Sequence, residues 1–343
     1  MMEEGETIAS SPTKKGIRPE HFAVYSVLFC AIYAIYHFQK RMDFFVLSNE
    51  EEQDRWVGFV TQGQLGNQLW ELASTYGIAR RRKARWCVMA ENEGFRQYME
   101  HMEWTSVAPP ESCPGITWIN PLFWYTPSLT PINDDGKYAV YYEKFLLSKW
   151  PRIRIDSNLQ SFKYFDEINP IPFRLTATSE AIAWVKQRNI TAAIHIRRGD
   201  KMSCRSDVVP PIDYFRLAIH TLNLLFPPPH PHDENGAARV FVVVTDDPLW
   251  VKQHPSLFKG MHILSSQRPD FDMAVIAACQ HKILSIGTFG WWGAFLSDSG
   301  NNQTSAVIYP TVQMVGAGAA GFNNSDYFPQ HWTGIQYVDK MLG

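Results

Sequence analysis

The run AAIHIRRGDK, Ala192 to Lys201, drives an apolar strand pattern straight into two adjacent arginines and a turn that ends at Asp200. Side chains alternate across an extended chain, so His195 and Arg197 share one face while Ile196 and Arg198 take the other. Guanidiniums on opposite faces have different uses. One can grip a diphosphate through its planar fork, and the other can pair with Asp200 or a neighbouring carboxylate and hold the loop. The plain alternative for an arbitrary Arg-Arg-Gly-Asp is a solvated surface loop, against which the apolar strand and the preceding histidine both argue. A cell-adhesion use of Arg198-Gly199-Asp200 is disfavoured because the tripeptide leaves a core strand.

Three further loops have the same layout. VFVVVTDDPLW, Val240 to Trp250, ends a strand at Thr245 and presents Asp246 and Asp247. These carboxylates can accept hydrogen bonds from the ring N–H and amino group of guanine, or cap a helix before Pro248. KILSIGTFGWWGAFLSD, Lys282 to Asp298, turns from strand to helix through Ser285, Gly287, Thr288, Phe289 and Gly290. Such a turn offers free backbone N–H groups and a positive dipole end to phosphate. Trp291 and Trp292 read as core rather than as a sugar platform. TQGQLGNQLWELA, Thr61 to Ala73, also follows a strand and opens a helix. Gly63 and Gly66 permit tight turns and close backbone approach, and Asn67 is placed to cap the helix with its amide near any ligand there. The segment has neither a Walker ending nor the glycine order of a dinucleotide loop. One metal-binding alternative exists, Asp270-Phe271-Asp272, although acidic residues are expected where a helical pattern begins.

These loops need a scaffold that brings strand ends together. From Trp56 onward short apolar runs alternate with amphipathic helical stretches, the pattern of an α/β chain with parallel sheets. Strands are expected at 56–60, 86–90, 192–196, 240–245, 282–286 and 306–310. Helical spacing appears in Leu69, Leu72, Ala73 and Tyr76, in Phe215, Ile219, Leu222 and Phe226, and in Met273, Ile276 and Ala277. Two sheets follow, with the irregular, proline-containing stretch from Pro109 to Pro172 as the connection and 227–236 as a surface loop. A length of 343 residues, 45% of them hydrophobic, suits two modest domains and an appendage. A formal net charge of -2 excludes a general nucleic-acid binder, which carries a clear basic excess.

The appendage is the amino terminus. FAVYSVLFCAIYAIYHF, Phe22 to Phe38, contains no Asp, Glu, Lys or Arg and sits between polar stretches. It reads as a single uncleaved membrane anchor, with tyrosines and His37 suited to the interface. Lys14, Lys15 and Arg18 before the span, against Lys40 and Arg41 after it, put the amino terminus in the cytosol. Three sequons, at Asn189, Asn302 and Asn323, would be glycan acceptors if the large domain is lumenal. Outside the span stand Cys87, Cys113, Cys204 and Cys279, which allow three pairings and show neither zinc nor redox spacing.

Taken together, GQLGNQLWELASTYGIAR, HIRRGD, FVVVTDDPLWVKQ, DMAVIAACQHKILSIGTFGWWGAFL and the late WTGI at Trp332 resemble the galactoside 2-alpha-L-fucosyltransferases, within the wider alpha-1,2, alpha-1,6 and protein O-fucosyltransferase group. The resemblance runs over most of the chain from Gly58 on. Gln64 departs from it, standing where the family has arginine, and 95–161 shows little that matches. It implies two Rossmann-like domains facing a cleft, the glycosyltransferase B arrangement, preceded by one transmembrane helix. The partition it suggests is a cytosolic tail 1–21, an anchor 22–38, a stem 39–54, an acceptor-side α/β domain 55–165 and a donor-binding domain 166–343. The implied location is the Golgi membrane, single-pass, with the catalytic domain lumenal.

The implied reaction is inverting transfer of L-fucose from GDP-fucose to the 2-hydroxyl of a terminal galactose, with no cofactor and no metal. By the same resemblance Arg197 neutralises the diphosphate and Asn67 faces it from the other domain. Gly66, His195, Arg198, Asp200, Asp246, Asp247, Thr288, Phe289 and Gly290 then line or shape the donor site, with Asp246 or Asp247 reading guanine. Inversion needs a base for the acceptor proton. Glu91, Glu93, Asp134 and Asp135 lie in the acceptor half, and nothing in the sequence singles one out. Transfer to a protein or to core N-acetylglucosamine is the alternative within the class. A catalytically silent, membrane-anchored carbohydrate-binding protein is the alternative outside it, and the intact HIRRGD and SIGTFG segments weigh against it.

Overall fold

The computed structural model describes residues 55–60, 63–89, 99–105, 107–113, 130–132, 137, 139–168, 171–204, 207–228, 238–297, 305–314, 319 and 321–337. The expected anchor, stem and acidic residues Glu91, Glu93, Asp134 and Asp135 lie outside them, as does Asn302. No helix among the described residues is long and apolar enough to cross a membrane.

The first sheet is built around β1 (Trp56–Phe59), whose four residues are all buried. It pairs in parallel with β2 (Arg85–Val88) on one side and β6 (Arg152–Ile155) on the other, and β4 (Glu111–Ser112) and β5 (Thr130–Ile132) form the edges. Arg152 to Ile155 reads RIRI with only the isoleucines buried, the period-2 signature of a strand. The stretch expected to be a plain connection therefore supplies three strands of this sheet. A two-stranded antiparallel pair, β3 (Met102–Trp104) with β7 (Phe173–Leu175), stands apart from it. Helix α1 (Leu65–Arg81) follows β1, and short α2 (Lys144–Leu147) precedes β6.

The second sheet is parallel throughout, in the order β10 (His262–Leu264), β9 (Phe241–Thr245), β8 (Ala192–Ile196), β11 (His281–Ile283), β12 (Val307–Pro310), β13 (Thr333–Ile335). Strands β8 and β9, AAIHI and FVVVT, are buried at every residue, as a sheet covered on two faces requires. One face packs on α4 (Ile212–Leu225), α5 (Pro248–Gln253) and α6 (Pro255–Phe258) through Ala192, Ile194, Ile196 and Val243. The other packs on α3 (Thr178–Gln187), α7 (Pro269–Ala278) and α8 (Thr288–Phe295) through Ala193, Val242 and Val244. A last short helix, α9 (Asn324–Tyr327), precedes β13.

A single apolar core joins the two sheets. Val57, Phe59 and Ile153 of the first belong to the same buried cluster as Val242 and Val244 of the second. Its centre is aromatic: Trp70 of α1 lies 4.0 Å from Trp291 and 5.6 Å from Trp292 of α8, centroid to centroid. Trp291 and Trp292 are core residues, as their place in an apolar helix suggested. Of the cysteines, Cys87 and Cys113 form a disulfide across the β2–β4 edge, while Cys204 and Cys279 are thiols.

Candidate functional site

Two helices begin at the same place. The α1 amino terminus follows a turn in which Gly63 takes φ 71°, and α8 follows Gly287 at φ 95°, both in the left-handed region that favours glycine. Gly66 lies directly against α8: a Cβ there would stand 2.6 Å from Thr288 Oγ1 and 2.9 Å from the Phe289 nitrogen. Asn67 is therefore inside α1 rather than at its cap, which is Gln64. Its Oδ1 accepts a 2.9 Å hydrogen bond from the Thr288 hydroxyl and a longer one, 3.4 Å, from Gln160 Nε2. The two positive helix ends converge on one spot.

Beside that junction β8 ends. His195 is buried, with Nδ1 3.4 Å from Ser285 Oγ and its ring stacked 5.8 Å from Phe289. Gly290 is packed so tightly on the imidazole that a Cβ would come 2.7 Å from its Cγ. Burial pushes the His195 pKa down to about 4, with Asp246 opposing and Arg197 reinforcing the shift, so the ring is neutral at physiological pH. Ser285 Oγ also accepts the Arg197 backbone N–H at 2.8 Å, tying the exit of β8 to the exit of β11.

The arginines separate as strand alternation requires. Arg197 turns into the cleft with Nη1 2.5 Å from Asp246 Oδ2 and Nη2 2.6 Å from Asp200 Oδ1. Arg198 lies over the Trp250 ring at 4.3 Å and reaches Asp247 Oδ2 at 3.4 Å through Nε. It is thus the cleft-facing arginine that pairs with Asp200, and the other that pairs with a neighbouring carboxylate. Asp246 Oδ1 accepts the Arg198 backbone N–H at 2.8 Å, so both of its oxygens are engaged. Asp247 Oδ1 accepts the Trp250 N–H at 3.0 Å and caps α5.

The cleft between these groups measures about 850 Å³ and brings together Gly66, Asn67, His195, Arg197, Asp200, Asp246, Thr288 and Phe289. Arg198, Asp247 and Gly290 are not on its lining. Residues that sequence reasoning did not assign complete it: Gln64, Asn158 and Gln160 on the first-sheet side, and Lys201, Asp207, Ser266, Gln313, Phe322 and Tyr327 on the other. Their signal was weak, since amides and single aromatics in loops carry no spacing rule. Asp272 also faces the cleft, buried, with Oδ2 and Oδ1 accepting from Ser266 N–H and Oγ–H at 3.1 and 2.6 Å; burial raises its pKa. Asp270 instead lies 3.7 Å from His101 and from Arg268 and is not on the cleft lining. A second cavity of about 1000 Å³, lined by Arg174, Phe295 and Leu296 at the far end of α8, contains none of the residues expected at the donor site.

The carboxy-terminal part of the chain, residues 181–336, matches the profile of Glycosyl transferase family 11. Over 265 residues, 68% of this chain and 65% of the relative, it is 22% identical to galactoside alpha-(1,2)-fucosyltransferase 2 of Oryctolagus cuniculus. Over 114 residues, 31% of this chain and 34% of the relative, it is 26% identical to the O-antigen biosynthesis glycosyltransferase WbnK of Escherichia coli. The matches thus span from a third to just under two thirds of these relatives' lengths. Among solved structures it resembles fucosyltransferase NodZ from Bradyrhizobium, with TM-score 0.45, 14% identity, and 71% and 92% of the two chains covered. The resemblance read from the motifs is shown by the family profile and these relatives together.

Proposed function

We propose that this chain is a fucosyltransferase that transfers L-fucose from GDP-fucose, with inversion, to the 2-hydroxyl of a terminal galactose. The observation that carries the reading is Arg197 at the convergence of two helix amino termini in an 850 Å³ cleft. Free N–H groups and dipole ends at α1 and α8 favour an anion there, and the guanidinium adds a full charge. As the bond from fucose C1 to the diphosphate oxygen breaks, negative charge grows on the leaving group. Preorganised donors stabilise it without rearranging. Asp246 fixes one edge of the guanidinium from inside the cleft; Asp200, 65% exposed, is the partner that a phosphate displaces. His195, neutral, holds the Ser285 bridge and the Phe289 ring in place.

Because arginine and helix dipoles supply the positive charge, the reaction needs no metal and no cofactor in this reading. The amides Gln64, Asn158 and Gln160 on the first-sheet side, with the Phe322 and Tyr327 rings across the cleft, suit a neutral sugar, whose hydroxyls need amides and whose ring faces need apolar surface. The relatives named galactoside alpha-(1,2)-fucosyltransferases support galactose as acceptor. Residues 55–165 are assigned to acceptor binding and 166–343 to the donor. The Cys87–Cys113 disulfide suits an oxidising lumen, and Asn189 and Asn323 are exposed. With the apolar run at 22–38 these features support the reading of a single-pass Golgi protein with a lumenal catalytic domain.

The test is incubation of the full chain with GDP-fucose and a panel of galactosides. Fucosylated galactoside and released GDP are expected; no transfer and no hydrolysis overturns the enzyme, and transfer to peptide serine or core N-acetylglucosamine overturns the acceptor. Protease added outside sealed microsomes should leave the large domain intact.

A further inference from the structure

The end of the first sheet that faces away from the cleft is basic and apolar at once. Trp56 pairs with Arg85 on one side and Arg152 on the other, so β1, β2 and β6 begin level with one another. The cleft residues Gly63 to Asn67 follow the opposite end of β1, and Asn158 and Gln160 follow the opposite end of β6. The run ARRRKAR, Ala79 to Arg85, ends α1 and leads into β2. Arg55, Arg80, Lys83 and Arg85 are exposed there, with the Arg85 guanidinium 4.2 Å over the Trp56 ring.

Arg82 is the buried member of that run. It donates to the carbonyl oxygens of Phe145, Leu146, Ser148 and Trp150 at 3.3, 3.1, 2.9 and 2.5 Å. One guanidinium thereby fixes the segment LSKW, Leu147 to Trp150, beside the basic run. Leu147 is 75% exposed and Trp150 41%, and Lys149 Nζ lies 5.3 Å from the Trp150 ring centroid. Apolar side chains held outward among lysines and arginines make a surface suited to the headgroup region of a bilayer. Leucine enters the acyl boundary, tryptophan takes the interface, and the cations reach phosphates.

The covalent chain points to the same occupant. Arg55, at this end, is joined to the apolar run 22–38 through residues 39–54, 16 residues that span at most about 58 Å when extended. Attachment at this end raises the local concentration of bilayer there, so weak contacts suffice. Resting on the membrane-anchored reading, we propose that the end bearing Arg55, Lys83, Arg85, Leu147, Lys149 and Trp150 docks on the lumenal bilayer surface. The donor cleft is then held on the side away from the lipid, where it meets acceptors that extend into the lumen.

The test places a nitroxide at Leu147→Cys in the full-length protein, with Cys30 and the exposed Cys204 replaced by Ser, in nanodiscs of phosphatidylcholine and phosphatidylserine. A separate label at Lys252→Cys, on α5 with Leu249, which is 69% exposed, reports another exposed apolar face. At 147, collisions with oxygen, which concentrates in lipid, should exceed those with a water-soluble nickel chelate, and at 252 the order should reverse. Lys83→Glu combined with Lys149→Glu should return the 147 label to water while transfer to a soluble galactoside is unchanged. A lipid signal that survives both charge reversals overturns the part given to the basic residues. A 147 label as open to nickel as the 252 label, in protein that has entered the discs, overturns docking and leaves the anchor and the transferase in place. Shielding at 147 from both reagents means that protein covers this face, and a lipid signal at 252 instead gives the bilayer the other face; each overturns the proposal. Protein that stays out of the discs overturns the anchor, and docking with it.

Discussion

Gly66 and Thr288 touch where the first helix of one sheet meets a helix of the other, with a Cβ at Gly66 falling 2.6 Å from Thr288 Oγ1 and 2.9 Å from the Phe289 nitrogen. Any side chain at 66 must pry the two helix ends apart, and the Asn67–Thr288 hydrogen bond with them.

Gly66→Ala tests that contact. Alanine is normally the better helix former by up to about 1 kcal/mol, so a neutral site would gain stability. Overpacking here should instead cost about 1–3 kcal/mol in urea unfolding, and turnover should fall because the anion-binding ends no longer converge. Unchanged or increased stability would show that the two helices are not in contact.

Replacing Arg197 by Lys keeps one charge and removes the fork that spans Asp246 and Asp200. Turnover should fall about 100-fold to 1000-fold, as for loss of one preorganised transition-state donor, with donor affinity changing less. Arg198→Lys loses the face of Trp250 and the reach to Asp247, so its effect should appear as about 1 kcal/mol of stability with turnover largely kept. The two thermal melts and the two kcat values separate the roles. A larger kcat loss at Arg198 would mean that the catalytic arginine is the one on Trp250.

Acid should destabilise the protein through two buried histidines. His195 and His281 are both pushed down to about 4, mainly by burial, and His281 Nδ1 accepts the Ala306 N–H. Unfolded, each takes up a proton near pH 6.5. Between that value and about 4 the unfolded chain binds more protons than the folded one, so stability is full above 6.5 and falls as pH drops. Each histidine contributes a slope of up to about 1.4 kcal/mol per pH unit inside that window. Unfolding free energies at pH 7.5 and 5.0 check it, and His281→Asn should flatten the slope if His281 contributes to it.

Excess chelator should leave fucosyl transfer unchanged, since Arg197 and the helix ends are the proposed counter-charges to the diphosphate. Loss of activity under chelation, restored by manganese or magnesium, would point instead to the cleft carboxylates Asp272 and Asp207.

Part of this site is legible in the residues alone. Strand alternation predicts that His195 and Arg197 turn one way and Arg198 the other, because successive side chains of an extended chain have no other choice. Glycine at 63, 66 and 287 marks tight turns and close approach, and the buried runs AAIHI and FVVVT announce a parallel sheet. RIRI at 152–155 carried an equally clear period of two; proline and irregular sequence around it masked the signal.

The partners were decided only by tertiary structure. Asn67 finds Thr288 across 221 residues, Arg197 finds Asp246 across 49, and Asp207 finds Met314 across an antiparallel bridge. Local conformation follows from the residues themselves because neighbouring side chains and backbone sterics act over a few positions. A pairing between distant loops depends on where parallel strands stop relative to one another. That register is set by the packing of the shared aromatic core around Trp70, Trp291 and Trp292, to which no single segment holds the key.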